Sequence, residues 1–234
     1  MIKKNINQND ILNIELLNSF NNTYTFDKSP INRYKTDENK QLSSFDLKNL
    51  KNTIDTIQDC ELRKNALQAV FGNGDINAKL MIIGGAPGEK EDQTGKSFVG
   101  EDGSLLEKML NAIDIKKNDV YLTYAVNYRP PQDRKPTSSE IKRYNIFLQK
   151  HISIIDPKLI ILMGSTAMEA LTGLNNKISD ERGRWKDVIV KNKSYNTMIT
   201  FDPSYLLRFP ENKKYSWEDL KKIKQKIIDL KLNI

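Results

Sequence analysis

The densest run of residues able to do chemistry is Ile82–Gly100, IIGGAPGEKEDQTGKSFVG, entered from the apolar stretch Ala78–Ile83. Gly84, Gly85, Ala86, Pro87 and Gly88 form a turn of nearly bare backbone, in which glycine lets the chain approach a ligand and Pro87 stiffens the path. An acidic patch at Glu89, Glu91 and Asp92 follows, and then the aromatic Phe98. A buried strand delivers a site at its carboxyl end in this way. From the segment alone, a strand followed by a tight loop fits equally well.

Three further loops carry reactive types. Asn127–Pro136, NYRPPQDRKP, sets Tyr128 beside Arg129 and Arg134 on a backbone stiffened by proline, which suits phosphates and stacked bases; a proline-rich surface loop with incidental charges is the plainer alternative. Gly164–Thr166 ends another apolar run. Phe201–Arg208, FDPSYLLR, puts Leu206 and Leu207 next to Arg208, either as an apolar wedge for a base stack or as the start of a helix packing its leucines inward.

Stepping along the chain shows what must position these loops. From Ala78 onward strands and helices alternate: a strand to Ile83, a helix from Ser104 striped by Leu105, Leu106, Met109, Leu110 and Ile113, and a strand at Val120–Val126. A capping box of Thr137 and Glu140 opens the next helix, Pro157–Met163 is a third strand, and strands at Asp187–Val190 and Tyr195–Phe201 flank a turn. Ser216 caps a last helix with Trp217, Leu220, Ile223, Ile227 and Leu230 inward. Upstream, a short helix over Ile11–Phe20, a linker over Asn21–Ser44 and a helix over Phe45–Arg63 are predicted. The pattern specifies an α/β class, a three-layer α/β/α sandwich with a central, mostly parallel sheet of about four strands over residues 51–234, and an N-terminal helical or flexible extension over residues 1–50. The four loops then lie outside the carboxyl ends of the strands.

Composition narrows the chemistry. The 234 residues carry a net charge of +7, with an isoelectric point near 9.2, which fits a polyanion partner although the lysines are scattered. Arg129, Arg134, Lys135, Arg182, Arg184 and Arg208 stand beside the candidate loops. The single cysteine, Cys60, rules out an intramolecular disulfide and cannot hold a zinc or iron–sulfur centre alone. The single histidine, His151, lies within an amphipathic helix and reads as a structural or surface residue rather than a catalytic one. No apolar run suits a membrane span or a signal-peptide core, so a cytoplasmic, membrane-free protein is expected. The glycines at 84, 85 and 88 do not spell a dinucleotide fingerprint, and no P-loop follows.

Taken together, GGAPGEKEDQTGKSFVG, VYLTYAVNYRPPQDRKPT, PKLIILMGSTA, ERGRW and TFDPSYLLR with a following Trp217 resemble the family 4 uracil-DNA glycosylases, in order and spacing, from about Ile57 onward. The resemblance implies an enzyme of base excision repair that flips uracil out of DNA and hydrolyses its N-glycosidic bond. It implies that Phe98 stacks on the flipped base, that Gly84–Gly88 line the pocket, and that Tyr205, Leu206, Leu207 and Arg208 fill the gap in the duplex, with Ser204 beside them on DNA. It also sets Arg129, Arg134, Ser165 and Arg184 against DNA.

Three positions depart from that family. Gly85 stands where its motif has glutamate, Tyr124 where an asparagine reads the uracil edge, and Asp202 where a histidine stabilises the departing base. A rewired site would use Asp92, Glu91 or Asp202 to hold the water, with backbone amides stabilising the base and Tyr124 either altering base choice or abolishing excision. The alternatives are a catalytically silent relative that still binds DNA or a flipped base, and a small nucleobase-binding protein outside repair. The positions of the family's iron–sulfur cysteines hold Ile57, Cys60, Tyr128 and Tyr144, so no cluster, no metal and no other cofactor is expected, with the space packed instead. DNA is the expected partner and a monomer the expected state.

Overall fold

A computed structural model describes residues 36–234, with side chains from residue 44. The fold described here belongs to the compact unit of residues 38–234. The helix expected over Ile11–Phe20 lies outside the described residues.

Continuous apolar runs make the centre of the sheet. Strands β2 (Leu80–Gly84), β3 (Tyr121–Tyr124) and β4 (Leu159–Met163) are buried at every residue, as strands covered on both faces must be. With β1 (Gly72–Gly74), β5 (Trp185–Val190) and β6 (Lys193–Thr200) they form one sheet of six strands in the order β1-β3-β2-β4-β6-β5. β3, β2, β4 and β6 run parallel, while β1 and β5 are antiparallel edges. The sheet is mostly parallel, as expected, with six strands rather than about four; edge β5 lies where a strand was expected at Asp187–Val190, and edge β1 is an addition. β5 and β6 join through Lys191 and Asn192, both at positive φ, the conformation of a two-residue hairpin turn.

Odd and even positions of the strands feed two cores. Met81, Ile83, Ile160, Leu162 and Ile199 pack against helices α1 (Thr36–Asp55), α5 (Ser138–Ile155) and α6 (Gly164–Thr172). Leu80, Ile82, Leu122, Ile161 and Met198 pack against α4 (Gly100–Asn111) and α9 (Lys213–Asp229). Each buried aliphatic side chain contributes roughly 1.5–3 kcal/mol, so these two layers hold the α/β/α sandwich. Short helices α2 (Glu61–Asn65), α3 (Glu89–Thr94), α7 (Ile178–Glu181) and α8 (Pro203–Arg208) complete it.

Local rules explain several joints and correct others. Thr137 Oγ1 accepts from Glu140 N at 3.3 Å while the Glu140 carboxylate accepts from Thr137 N at 2.7 Å, the capping box that starts α5. His151 is buried, stacked on Phe71 at 4.4 Å and bonded to the Tyr121 hydroxyl at 2.8 Å, and burial lowers its pKa to about 3. It is a neutral core residue, as its helix suggested. The polar segment read as linker is already helical from Thr36, and α1 ends at Asp55, so the boundary expected at residue 50 falls inside a helix. The last helix begins at Lys213, with no side-chain cap from the preceding Asn212; Ser216 is buried within it, and Trp217 is 44% exposed rather than inward. Arg182 is not a surface cation: its Nε donates to Asp219 at 3.0 Å, and Thr200 Oγ1 donates to the same carboxylate at 2.8 Å. That pair ties the end of β6 and the turn after α7 to α9.

Candidate active site

All four predicted loops converge. Gly85–Gly88 after β2, Pro130 and Asp133–Pro136 after β3, Gly164–Thr166 after β4, and Asp202, Ser204, Tyr205 and Arg208 after β6 wall one cleft of about 830 Å³ at the carboxyl ends of the parallel strands. Among the residues picked from sequence, Gly85, Ala86, Pro87, Gly88, Glu91, Phe98, Tyr124, Arg134, Ser165, Asp202, Ser204, Tyr205 and Arg208 face it. Gly84, Asp92, Arg129, Arg184, Leu206 and Leu207 do not.

The parallel register sets Gly84 beside Tyr124. The Phe98 and Tyr124 rings lie over this glycine, stacked at 4.9 Å with 26° between planes. A Cβ on Gly84 would come within 2.8 Å of Phe98 Cζ and 2.7 Å of the Tyr124 ring, so only glycine fits under the pair. The Phe98 amide donates to the Tyr124 hydroxyl at 3.1 Å, and burial, with Glu91 nearby, raises that hydroxyl's pKa well above its usual value.

The carboxylates divide by role. Glu91 is buried with both oxygens engaged: Oε2 accepts from Gly88 N at 3.1 Å and Oε1 from Val99 N at 2.9 Å. It clasps the two ends of the first loop. Asp92 is turned the other way, its Oδ1 accepting from Leu67 N and Gln68 N at 3.0 and 3.3 Å, so the expectation that it holds a water in the site is corrected. Adjacent residues on a helix point about 100° apart, which separates the two acids. Asp202 caps α8 through Ser204 N at 2.9 Å, and burial raises its pKa against that hydrogen bond and the charge of Arg208. Sequence reasoning missed Asp102, which lines the same wall from the first turn of α4. Burial, then the carboxylates of Asp202 and Glu91, push it up to about 6. An acid in a first helical turn reads in sequence as a partner of the helix dipole, and nothing else marked it.

The basic and apolar candidates also separate. Arg129 is bidentate to Asp133 at 2.7 and 2.9 Å, and Arg134 to Glu140 at 2.8 and 2.7 Å, so both brace their loop. Arg208 lines the cleft and forms no ion pair among the described residues. Arg184 is exposed at the entry to β5, away from the cleft. Leu206 is 1% exposed and belongs to the core, which corrects its place in a wedge, whereas Leu207 on the same short helix is 36% exposed.

Ile57, Cys60, Tyr128 and Tyr144 meet in one core. Cys60 Sγ lies 3.1 Å from the Tyr144 hydroxyl, Tyr128 donates to Ile54 O at 3.2 Å, the two tyrosine rings meet edge-on at 6.4 Å, and Ile57 packs against the same group. One thiol, two phenols and a hydrocarbon are not a donor set for an iron–sulfur cluster. Among the described residues no three His, Cys, Asp or Glu side chains converge as metal ligands do.

Residues 71–223 match the sequence profile of the Uracil DNA glycosylase superfamily. The chain is 37% identical to the type-4 uracil-DNA glycosylase of Thermotoga maritima over 168 residues, covering 70% of this chain and 86% of that protein. It is 33% identical to the type-4 enzyme of Pyrobaculum aerophilum, over 71% of this chain and 87% of the relative. With the type-4 uracil-DNA glycosylase of Archaeoglobus fulgidus the identity is 31%, over 73% and 87%. A profile spanning most of the sheet and its strand-end loops, and relatives matched over most of their own length, establish that this chain belongs to the uracil DNA glycosylase superfamily.

Proposed function

We propose that the protein is a DNA glycosylase of base excision repair that takes uracil out of the helix and hydrolyses its N-glycosidic bond. The carrying observation is the cleft walled by all four strand-end loops, with an aromatic pair, bare backbone and Arg208, which forms no ion pair among the described residues, in its wall. Water would attack C1′ of the sugar as the bond to the base breaks; the bonding electrons leave with the base and the water's proton passes to a carboxylate. Asp202 and Asp102 line the cleft without both oxygens engaged, as does the more exposed Glu101, and Arg208 offers charge to the departing anion. The brace of Arg129 and Arg134 keeps the second loop presented for DNA phosphates. The protein acts in the cytoplasm as a monomer in this proposal; among the described residues no helix is long and apolar enough to cross a membrane, and size-exclusion chromatography tests the monomer.

An excision assay over uracil, hypoxanthine, xanthine and thymine mismatches, in single- and double-stranded DNA, tests the activity. Abasic-site cleavage after treatment of uracil-DNA is expected, and its absence for every base refutes the proposal. The ring of Tyr124 on Phe98 favours a second possibility, a silent relative that still holds DNA. Salt-dependent DNA binding without excision of any base would establish it.

A further inference from the structure

We propose that the Tyr124 ring occupies the place of a planar base on Phe98, so that Tyr124 decides what the cleft admits. The proposal rests on the glycosylase reading for the identity of that base, but its physical content lies in the rings. Their 4.9 Å separation and 26° tilt are those of an offset stack, the arrangement a nucleobase would adopt on the same face. No third ring fits between planes this close. Nor is the other face of Phe98 open, because the residue is 2% exposed. Phe98 in the free protein therefore presents no unoccupied ring face to the cleft.

Several features hold the ring there. Gly84 beneath it has no side chain to push it off, since any Cβ would lie 2.7 Å from two of its ring carbons. Its hydroxyl receives the Phe98 amide at 3.1 Å, and that amide belongs to a residue held at φ of 52°, a conformation phenylalanine adopts only when its surroundings impose it. Ring, amide and glycine form one self-complementary unit, to which an entering base is a competitor. Tyr124 also lines the cleft. A base gains Phe98 only in the minor population whose ring has left, and the observed affinity falls by that fraction.

The test is calorimetric titration of the full chain with free uracil, and with thymine as the bulkier base, for the wild type and for Tyr124→Ala, Tyr124→Asn and Tyr124→Phe. The alanine and asparagine variants should bind uracil at least about tenfold more tightly than the wild type, given a minor state of roughly 10% or less. Tyr124→Phe should gain about fivefold or less, clearly short of Tyr124→Ala, because it keeps the ring and loses only the bond from the Phe98 amide. Adding Phe98→Ala to Tyr124→Ala should abolish the gain. Equal uracil affinity in wild type and Tyr124→Ala, a gain in Tyr124→Phe as large as in Tyr124→Ala, or no uracil binding by any variant would each overturn the proposal. Should the small variants fail to fold, the wild type answers alone by NMR: saturating uracil must shift the Tyr124 ring protons as they leave the Phe98 face, and bound uracil with those signals unmoved overturns it. Uracil-DNA titrations run alongside separate the two claims. A gain in base affinity with no DNA binding in any variant sinks the glycosylase reading and leaves the ring's role standing. Excision by the wild type as fast as by Tyr124→Ala, without a gain in base affinity, does the reverse.

Discussion

Replacing the two neighbouring acids of α3 one at a time should separate them sharply. Glu91 uses a different oxygen for each of its donors, Gly88 N at 3.1 Å and Val99 N at 2.9 Å. Asp92 uses Oδ1 for both of its own. A glutamine at 91 keeps one acceptor and turns an NH₂ group toward the other amide, so one buried donor loses its partner. Leaving such a group unsatisfied costs about 1–3 kcal/mol, and the lost charge weakens the bond that remains. An asparagine at 92 keeps the one oxygen that does the accepting and should cost about 1 kcal/mol or less. Urea unfolding followed by circular dichroism reads both as shifts of the midpoint at unchanged slope. We expect Glu91→Gln to lose roughly 2–3 kcal/mol and Asp92→Asn to stay near the wild type. Equal losses, or the opposite order, would refute the clasp. Loss of excision by Glu91→Gln with stability intact would place Glu91 in the chemistry instead.

Asp102 gives a pH signature. Its carboxyl is raised from 3.8 to about 6, so between those values the folded state keeps a proton the unfolded chain has lost, and stability falls as pH rises through the window. The deficit is complete above about pH 6; its ceiling is roughly 3 kcal/mol, and about half of that is realistic for a partly solvated group. Asp102→Asn should thus match the wild type at pH 4 and exceed it by roughly 1–2 kcal/mol at pH 7 in chemical denaturation; an offset equal at both pH values would refute the assignment. In α8, Leu206→Ala should cost about 2–5 kcal/mol as a core deletion, whereas Leu207→Ala should leave the melting midpoint nearly unchanged and weaken binding to duplex DNA. Reversed effects on stability would show that the two leucines have been placed on the wrong faces.

What could be read in advance follows from where the information lies along the chain. LMIIG and LIILM carry no alternation because both faces are covered, so they announced parallel strands directly. The capping box of α5 and the stripe of α4 are local patterns, and both held. β1 is Gly-Asn-Gly, a sequence without strand propensity, and exists through its register with β3 and the bond from Thr123 Oγ1 to Phe71 O at 2.6 Å. The first turns of α1 have no apolar period, so their helix was invisible to pattern. At the site, the loops could be read but the directions of side chains could not. Glu91 and Asp92 look alike until the rotation of α3 is known, and the stack on Gly84 needs the pairing of two strands whose ends are 40 residues apart.

The Arg182–Asp219 pair also bears on the order in which the chain can be completed during synthesis. Thr200 closes the sheet, yet the carboxylate that receives both Thr200 and Arg182 is made 19 and 37 residues after them. Until that helix emerges, a guanidinium destined for the interior has no counter-charge, and burying it alone is strongly unfavourable. The nascent sheet must therefore keep this corner open to water and wait. Closure of the edge near β6 becomes a late event, coupled to arrival of the final helix and not to formation of the strands. A chain interrupted between Arg208 and Asp219 would carry the residues that wall the cleft but leave that corner unsealed, open to proteases as unfinished.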